Sequence, residues 1–103
     1  MAVLTLTQAN FEQEVLHSKV PVLVDFWATW CGPCKMMGPV VEQIEKEMGS
    51  TVKIGKVNID ENTSLATKYN VMSIPTFMVF KDGKLVNSTV GVQDKENIKA
   101  MLR

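Results

Sequence analysis

Eight residues, Val20-Pro21-Val22-Leu23-Val24-Asp25-Phe26-Trp27, limit what this chain can fold into more than any other stretch. Their apolar side chains run almost unbroken, where a strand with one wet face would alternate. A strand buried on both faces is therefore predicted, and such a strand needs helices above and below its sheet. Pro21 fits near the strand's start, where a missing N–H does no harm. Asp25 is the anomaly, because an acidic side chain is almost never fully buried unless it is paired or functional. Two readings stay open for it: a bend that takes the carboxylate to solvent, or a carboxyl held inside with a raised pKa.

Directly after this run come Ala28-Thr29-Trp30-Cys31-Gly32-Pro33-Cys34-Lys35, which contain both cysteines of the chain. The spacing predicts one long helix from Cys31 to about Met48, with Val40, Val41, Ile44 and Met48 in helical register and Gly49 as its stop. Pro33 is tolerated in the first turn, whereas Pro39 lies inside the helix and is expected to kink it. Two thiols three positions apart share a helix face, with Cβ atoms roughly 5–6 Å apart. A disulfide needs about 3.5–4.5 Å, so a small adjustment of the first turn lets the pair close and reopen. At the helix start, unpaired N–H groups and the positive end of the dipole favour a Cys31 thiolate, lowering its pKa from the free value of about 8.5. Cys34, one turn deeper, is expected to be shielded and less ionised. One thiol is thus placed to attack and the other to resolve.

The remaining numbers narrow the setting. A chain of 103 residues, 46% hydrophobic and 21% charged, is long and apolar enough for one globular domain over residues 1–103. Eleven basic and eleven acidic residues cancel, which argues against nucleic acid or an anionic membrane as partner. No apolar run reaches the roughly 18–20 residues of a membrane span. The start of the chain lacks a basic region followed by a long apolar core, so no secretory signal and a cytoplasmic location are expected. In a reducing compartment a close cysteine pair reads as catalytic or metal-binding. The seven methionines read as adaptable core filler and not as a sensor.

Elsewhere the chain alternates strands and helices. Val3 to Leu6 is β-prone, and Asn10 with Gln13 resembles a capping box opening a short helix with Phe11, Val15 and Leu16 on one face. His17, the lone histidine, reads as structurally neutral at an exposed helix end. Thr51 to Ile59 is the next strand, with Val52, Ile54 and Lys56 on one face and Lys53, Gly55, Val57 and Ile59 on the other. Lys56 is either a snorkelling lysine or the partner of a buried acid. Asp60 or Asn62 caps a helix carrying Leu65, Ala66 and Tyr69. A loop, Val71 to Pro75, leads to a strand from Thr76 to Lys81, and Asp82-Gly83 marks a hairpin into Lys84 to Val90. Gly91 ends that strand, and Asp94 caps a last helix with Ile98, Met101 and Leu102 as its apolar stripe. The order β-α-β-α-β-α-β-β-α predicts an α/β fold: a mixed central sheet, parallel by crossovers with a C-terminal antiparallel hairpin, flanked by helices on both faces.

These residues together resemble the thioredoxin family, in its bacterial single-domain form, over nearly the entire chain. The resemblance rests on Trp30-Cys31-Gly32-Pro33-Cys34-Lys35 together with Asp25-Phe26-Trp27-Ala28, Pro39, Lys56-Val57-Asn58, Ile74-Pro75-Thr76, Phe80-Lys81-Asp82-Gly83 and Gly91, in order and at family spacing. It implies the thioredoxin fold and a protein disulfide reductase working through a reversible Cys31–Cys34 dithiol/disulfide, with no bound cofactor or metal. Cys31 would be the attacking thiol and Cys34 the resolving one. Asp25 would be the buried carboxyl that exchanges protons with Cys34, and Lys56 its charge neighbour. Pro75 would be a cis proline facing the disulfide, and Trp30, Ile74, Pro75, Val90 and Gly91 would line the substrate groove. The implied partners are disulfide-containing proteins and a separate thioredoxin reductase that passes on electrons from NADPH, with the chain itself monomeric. Ser73 and Met72 depart from the glycine and the polar or basic residue common there in the family, which bears on partner preference at the groove rim.

Three rival roles fit parts of the pattern. A disulfide oxidase or isomerase would share the fold, but such relatives carry a histidine between the cysteines where this chain has Gly32-Pro33. A binding module or assembly subunit could use the apolar rim of Trp30, Ile74 and Val90 without redox turnover. A zinc site wants four ligands, and two thiols with a distant His17 would need a second chain.

Overall fold

The computed structural model describes residues 2–103. The apolar run becomes the middle strand of a five-stranded sheet, and Val20 and Pro21 lie just before it. The strands are β1 (Leu4–Leu6), β2 (Val22–Trp27), β3 (Lys53–Asn58), β4 (Thr76–Lys81) and β5 (Lys84–Val90), in the order β1-β3-β2-β4-β5. Alternate side chains of β2 enter two separate cores. Val22, Val24 and Phe26 join Leu6, Phe11, Val15, Val57, Leu65, Met78 and Phe80 on one face. Leu23 joins Met37, Val41, Ile44, Ile54, Phe77, Val79 and Ile98 on the other. This is the two-sided burial that the continuous apolar pattern demands.

The helices are α1 (Gly32–Met48), α2 (Thr63–Lys68) and α3 (Lys95–Met101). Met37, Val41 and Ile44 of α1 and Ile98 of α3 cover one face, while Leu65 of α2 and the turn carrying Phe11 and Val15 cover the other. Across the first face Glu47 of α1 receives hydrogen bonds from Lys95 and Lys99 of α3, each at 2.6 Å, which hold its carboxyl at about 2. The element order matches the predicted one, with three corrections of detail.

The antiparallel part is larger than a terminal hairpin. β1 and β2 run parallel to β3, but β4 is antiparallel to β2 as well as to β5. A six-residue helix spans about 9 Å, too short to carry the chain back along a six-residue strand of roughly 20 Å. The chain therefore returns through α2 to start β4 at the end where β3 finished.

The caps also differ. Asn10 does not open a helix with Gln13; its Oδ1 accepts from Thr7 N–H at 2.7 Å while its own N–H donates to Thr7 Oγ1 at 3.3 Å. That reciprocal pair sets the turn before a π-helical stretch, Glu12–Leu16, closed by His17 N–H donating to Glu12 O at 3.0 Å. Asn62 precedes α2, but its side chain makes no cap. Its Oδ1 accepts from Gln8 N–H and its Nδ2 donates to Asn58 O, so it ties β1's exit to β3's end. Asp94 does cap α3, accepting from Asn97 N–H at 2.8 Å.

Gly49 ends α1 with ordinary right-handed dihedrals rather than as a left-handed stop. Positive φ occurs instead at the β4–β5 turn, at Asp82 (53°) and Gly83 (77°), the pattern a two-residue hairpin of matching twist requires. A Cβ on Gly83 would also stand 2.7 Å from Leu16 O.

Candidate active site

The end of β2 hands the chain directly to the start of α1, and the cysteines sit at that junction. Cys31 occupies the N-cap with extended dihedrals (φ −93°, ψ 109°), and Gly32 and Pro33 form the first turn. Cys34 N–H donates to Cys31 Sγ at 3.2 Å, so one orphan donor of the helix start points at that sulfur. Pro33 contributes no N–H, and α1 runs on through Pro39 to Met48. Cys31 and Cys34 are joined in a disulfide with Cα atoms 5.2 Å apart.

The expected difference in shielding between the two cysteines is absent: Cys31 is 4% and Cys34 6% exposed. Both pack with Ala28 in a small cluster completed by Trp27, Ile59 and Ile74. What distinguishes them is backbone position, since Cys31 caps the helix and Cys34 lies within its first turn.

Opposite the disulfide, the Ile74–Pro75 peptide is cis, and Ile74 O lies 3.9 Å from Cys31 Sγ. Pro75 O accepts from Gly91 N–H at 2.8 Å, and Thr76 pairs with Val90 across the β4–β5 ladder. Gly91 holds φ at 93°, a conformation that favours glycine. Ile74, Pro75, Val90 and Gly91 are thus brought to one edge beside the sulfurs. Trp30, 67% exposed, lines with Ile74 and Met72 a cavity of about 260 Å³. Its Nε1–H donates to Asp60 Oδ2 at 2.8 Å.

Asp25 lies buried in β2, so the bend to solvent is excluded. Among the described residues its Oδ1 has no hydrogen-bond partner. Burial pushes the carboxyl up from 3.8 to about 7, against the opposing pull of the Lys56 ammonium. Asp25 and Lys56 are register partners on adjacent strands. Lys56 Nζ also stands 4.9 Å from the centre of the Trp27 ring, a cation–π contact that explains how a lysine tolerates the face it shares with Ile54.

Sequence reasoning missed the Asp60 contact with Trp30, because Asp60 reads locally as a helix cap. It also missed Met36 and Val92, which are exposed apolar residues close in sequence to Cys34 and Gly91. His17 lies apart from the cysteines, with Nε2 3.6 Å from Glu12 Oε2. Among the described residues no three His, Cys, Asp or Glu side chains gather as a metal site would require. A second cavity of about 420 Å³, lined by Leu4, Val20, Val52 and Ile54 among others, includes none of the site residues.

Comparison with known proteins gives this geometry its family. The thioredoxin family model matches residues 2–103. The chain belongs to the thioredoxin family. It is 54% identical over 93 residues to Thioredoxin 1 of Synechococcus elongatus, covering 90% of this chain and 87% of that protein. It is 46% identical over 102 residues to the thioredoxin of Pyropia yezoensis, covering 99% and 95%. The thioredoxin of Rickettsia felis is 48% identical over 93 residues, covering 90% and 89%. Thioredoxins are thiol–disulfide oxidoreductases, and this chain is accordingly a protein disulfide reductase with the thioredoxin fold, whose redox group is the Cys31–Cys34 pair.

Proposed function

We propose that Cys31 is the nucleophile of this thioredoxin and Cys34 the resolving thiol. The observation that carries the assignment is the Cys34 N–H directed at Cys31 Sγ on a helix N-cap, which stabilises negative charge on that sulfur and not on the other. In the reduced protein the Cys31 thiolate attacks one sulfur of a substrate disulfide. The substrate S–S bond breaks, a mixed disulfide forms, and the departing sulfur takes up a proton. Cys34, its proton accepted by the Asp25 carboxylate, attacks Cys31 Sγ and releases the second substrate thiol. Two electrons pass to the substrate, and the Cys31–Cys34 disulfide results. The second step is intramolecular, which gives it a high effective concentration.

Asp25 suits the proton role because its carboxyl, near 7, gains and loses a proton around neutral pH. Lys56 moderates that value as the charge beside it. Trp30, Ile74, Pro75, Val90 and Gly91 form the groove for an extended substrate segment, with Met72 and Ser73 on its rim. Substrates are disulfide-bearing proteins, and neither nucleic acid nor membrane is a partner. The reductant is a separate thioredoxin reductase drawing on NADPH, since the sequence carries no glycine-rich nucleotide-binding signature. The chain works as a single-domain monomer in the cytoplasm, in electron transport and redox homeostasis.

A coupled assay tests this reading. With NADPH, a thioredoxin reductase and insulin, NADPH oxidation and insulin reduction should both require this chain. Reduction that proceeds equally without it would overturn the assignment.

A further inference from the structure

Among the described residues, Met37 and Met78 are buried in the two cores, and Met48 and Met101 pack at a core edge. Met36 and Met72 do neither: they are 66% and 86% exposed. The filler role assigned to the methionines from sequence fails for these two. Met72 lines the cavity of about 260 Å³ shared with Trp30, Ile59 and Ile74, beside the disulfide. Met36 lies two residues beyond Cys34 on α1, and its neighbour Met37 turns into the core.

We propose that Met72 is a peroxide-sensitive modification site that tunes how tightly the groove holds protein disulfides. The proposal rests on the disulfide-reductase reading above. A hydroperoxide transfers one oxygen to the thioether Sδ: the O–O bond breaks, an S–O bond forms, sulfur loses two electrons, and water leaves when hydrogen peroxide is the oxidant. The unmodified thioether is an apolar, flexible surface that adapts to varied partners. The sulfoxide is polar, and docking of a protein over the rim would strip water from its oxygen without a guaranteed replacement. Sulfur exchange at Cys31 involves neither methionine, so affinity changes while chemistry does not. A small disulfide that does not span the rim escapes the effect.

The test treats the disulfide form with hydrogen peroxide, measures sulfoxide at each methionine by peptide mass spectrometry, and then assays insulin and a small aromatic disulfide. Met72 and Met36 should oxidise well ahead of Met37 and Met78. The KM for insulin should then rise on the order of five-fold, with kcat and the rate on the small disulfide unchanged. A Met36→Leu/Met72→Leu protein, compared with its own untreated state, should show no such rise. Oxidation of Met72 no faster than Met37, an unchanged insulin KM at full Met72 oxidation, or a rise that persists in the double variant would each overturn the proposal. Untreated protein that reduced neither substrate would instead overturn the reductase reading, and the proposal with it.

Discussion

Cys31→Ser is expected to abolish insulin reduction, lowering the rate by on the order of a thousandfold or more, because a serine hydroxyl supplies no nucleophilic anion at neutral pH. Cys34→Ser should behave differently. Its Cys31 thiolate can still open a substrate disulfide but nothing remains to displace the product, so a stable mixed disulfide should accumulate. Non-reducing electrophoresis and mass spectrometry of the variant incubated with oxidised insulin read this directly. Both cysteines are equally covered in the disulfide form, so burial alone predicts no difference between the variants. The distinction comes from helix position: the N-cap sulfur receives the Cys34 N–H, and the sulfur one turn on lies inside the helix. Trapping by Cys31→Ser instead of Cys34→Ser would reverse the assignment.

Asp25→Asn should make the protein more stable at alkaline pH and slower as a catalyst. A carboxyl raised from 3.8 to about 7 on folding holds its proton more tightly in the native state than in the unfolded one. Stability therefore falls as pH rises between those two values, and the loss is complete above the higher one. A shift of about three units corresponds to roughly 4 kcal/mol at full development. Asparagine carries no charge but still buries an amide, so a gain of about 2–4 kcal/mol at pH near 8 is expected. Urea unfolding of the oxidised protein between about pH 5.5 and 8, above the range where Glu47 titrates in the unfolded chain, should show a downward slope for the parent and a much flatter line for Asp25→Asn. With the proton acceptor gone, release of a substrate captured on Cys31 should slow by on the order of ten- to a hundredfold near neutral pH. An identical pH dependence of stability in both proteins would remove Asp25 from the account.

Much of the site was legible in the sequence because its parts are local or repeat a simple period. The unbroken apolar run marked Asp25 as anomalous but left two readings open, and burial decides between them. The apolar spacing placed the helix start at the cysteines, one residue before the observed first residue Gly32, with Cys31 as the cap. The apolar spacing does not separate Met37 from Met36, because Met37 stands four residues before Val41 and Met36 four before Val40, yet one is buried and the other exposed.

What the sequence could not show depends on contacts between distant segments. Asn62 looks like a helix cap, yet its side chain bonds Gln8 and Asn58, because β1 brings residue 8 alongside it. Asp60 carries the same local signal and instead holds the indole of Trp30. The antiparallel pairing of β4 with β2 is not legible for a related reason. Alternation of strands and helices implies crossovers only when the helix is long enough to span the sheet, and α2 is not.

The central claim is that position on α1 makes Cys31 the acidic thiol. Titration of the Cys31 thiol in reduced Cys34→Ser protein, followed by the ultraviolet absorbance of the thiolate, tests it most directly. The account predicts a pKa well below the ordinary value of about 8.5. A Cys31 that titrates at or above that value would contradict it.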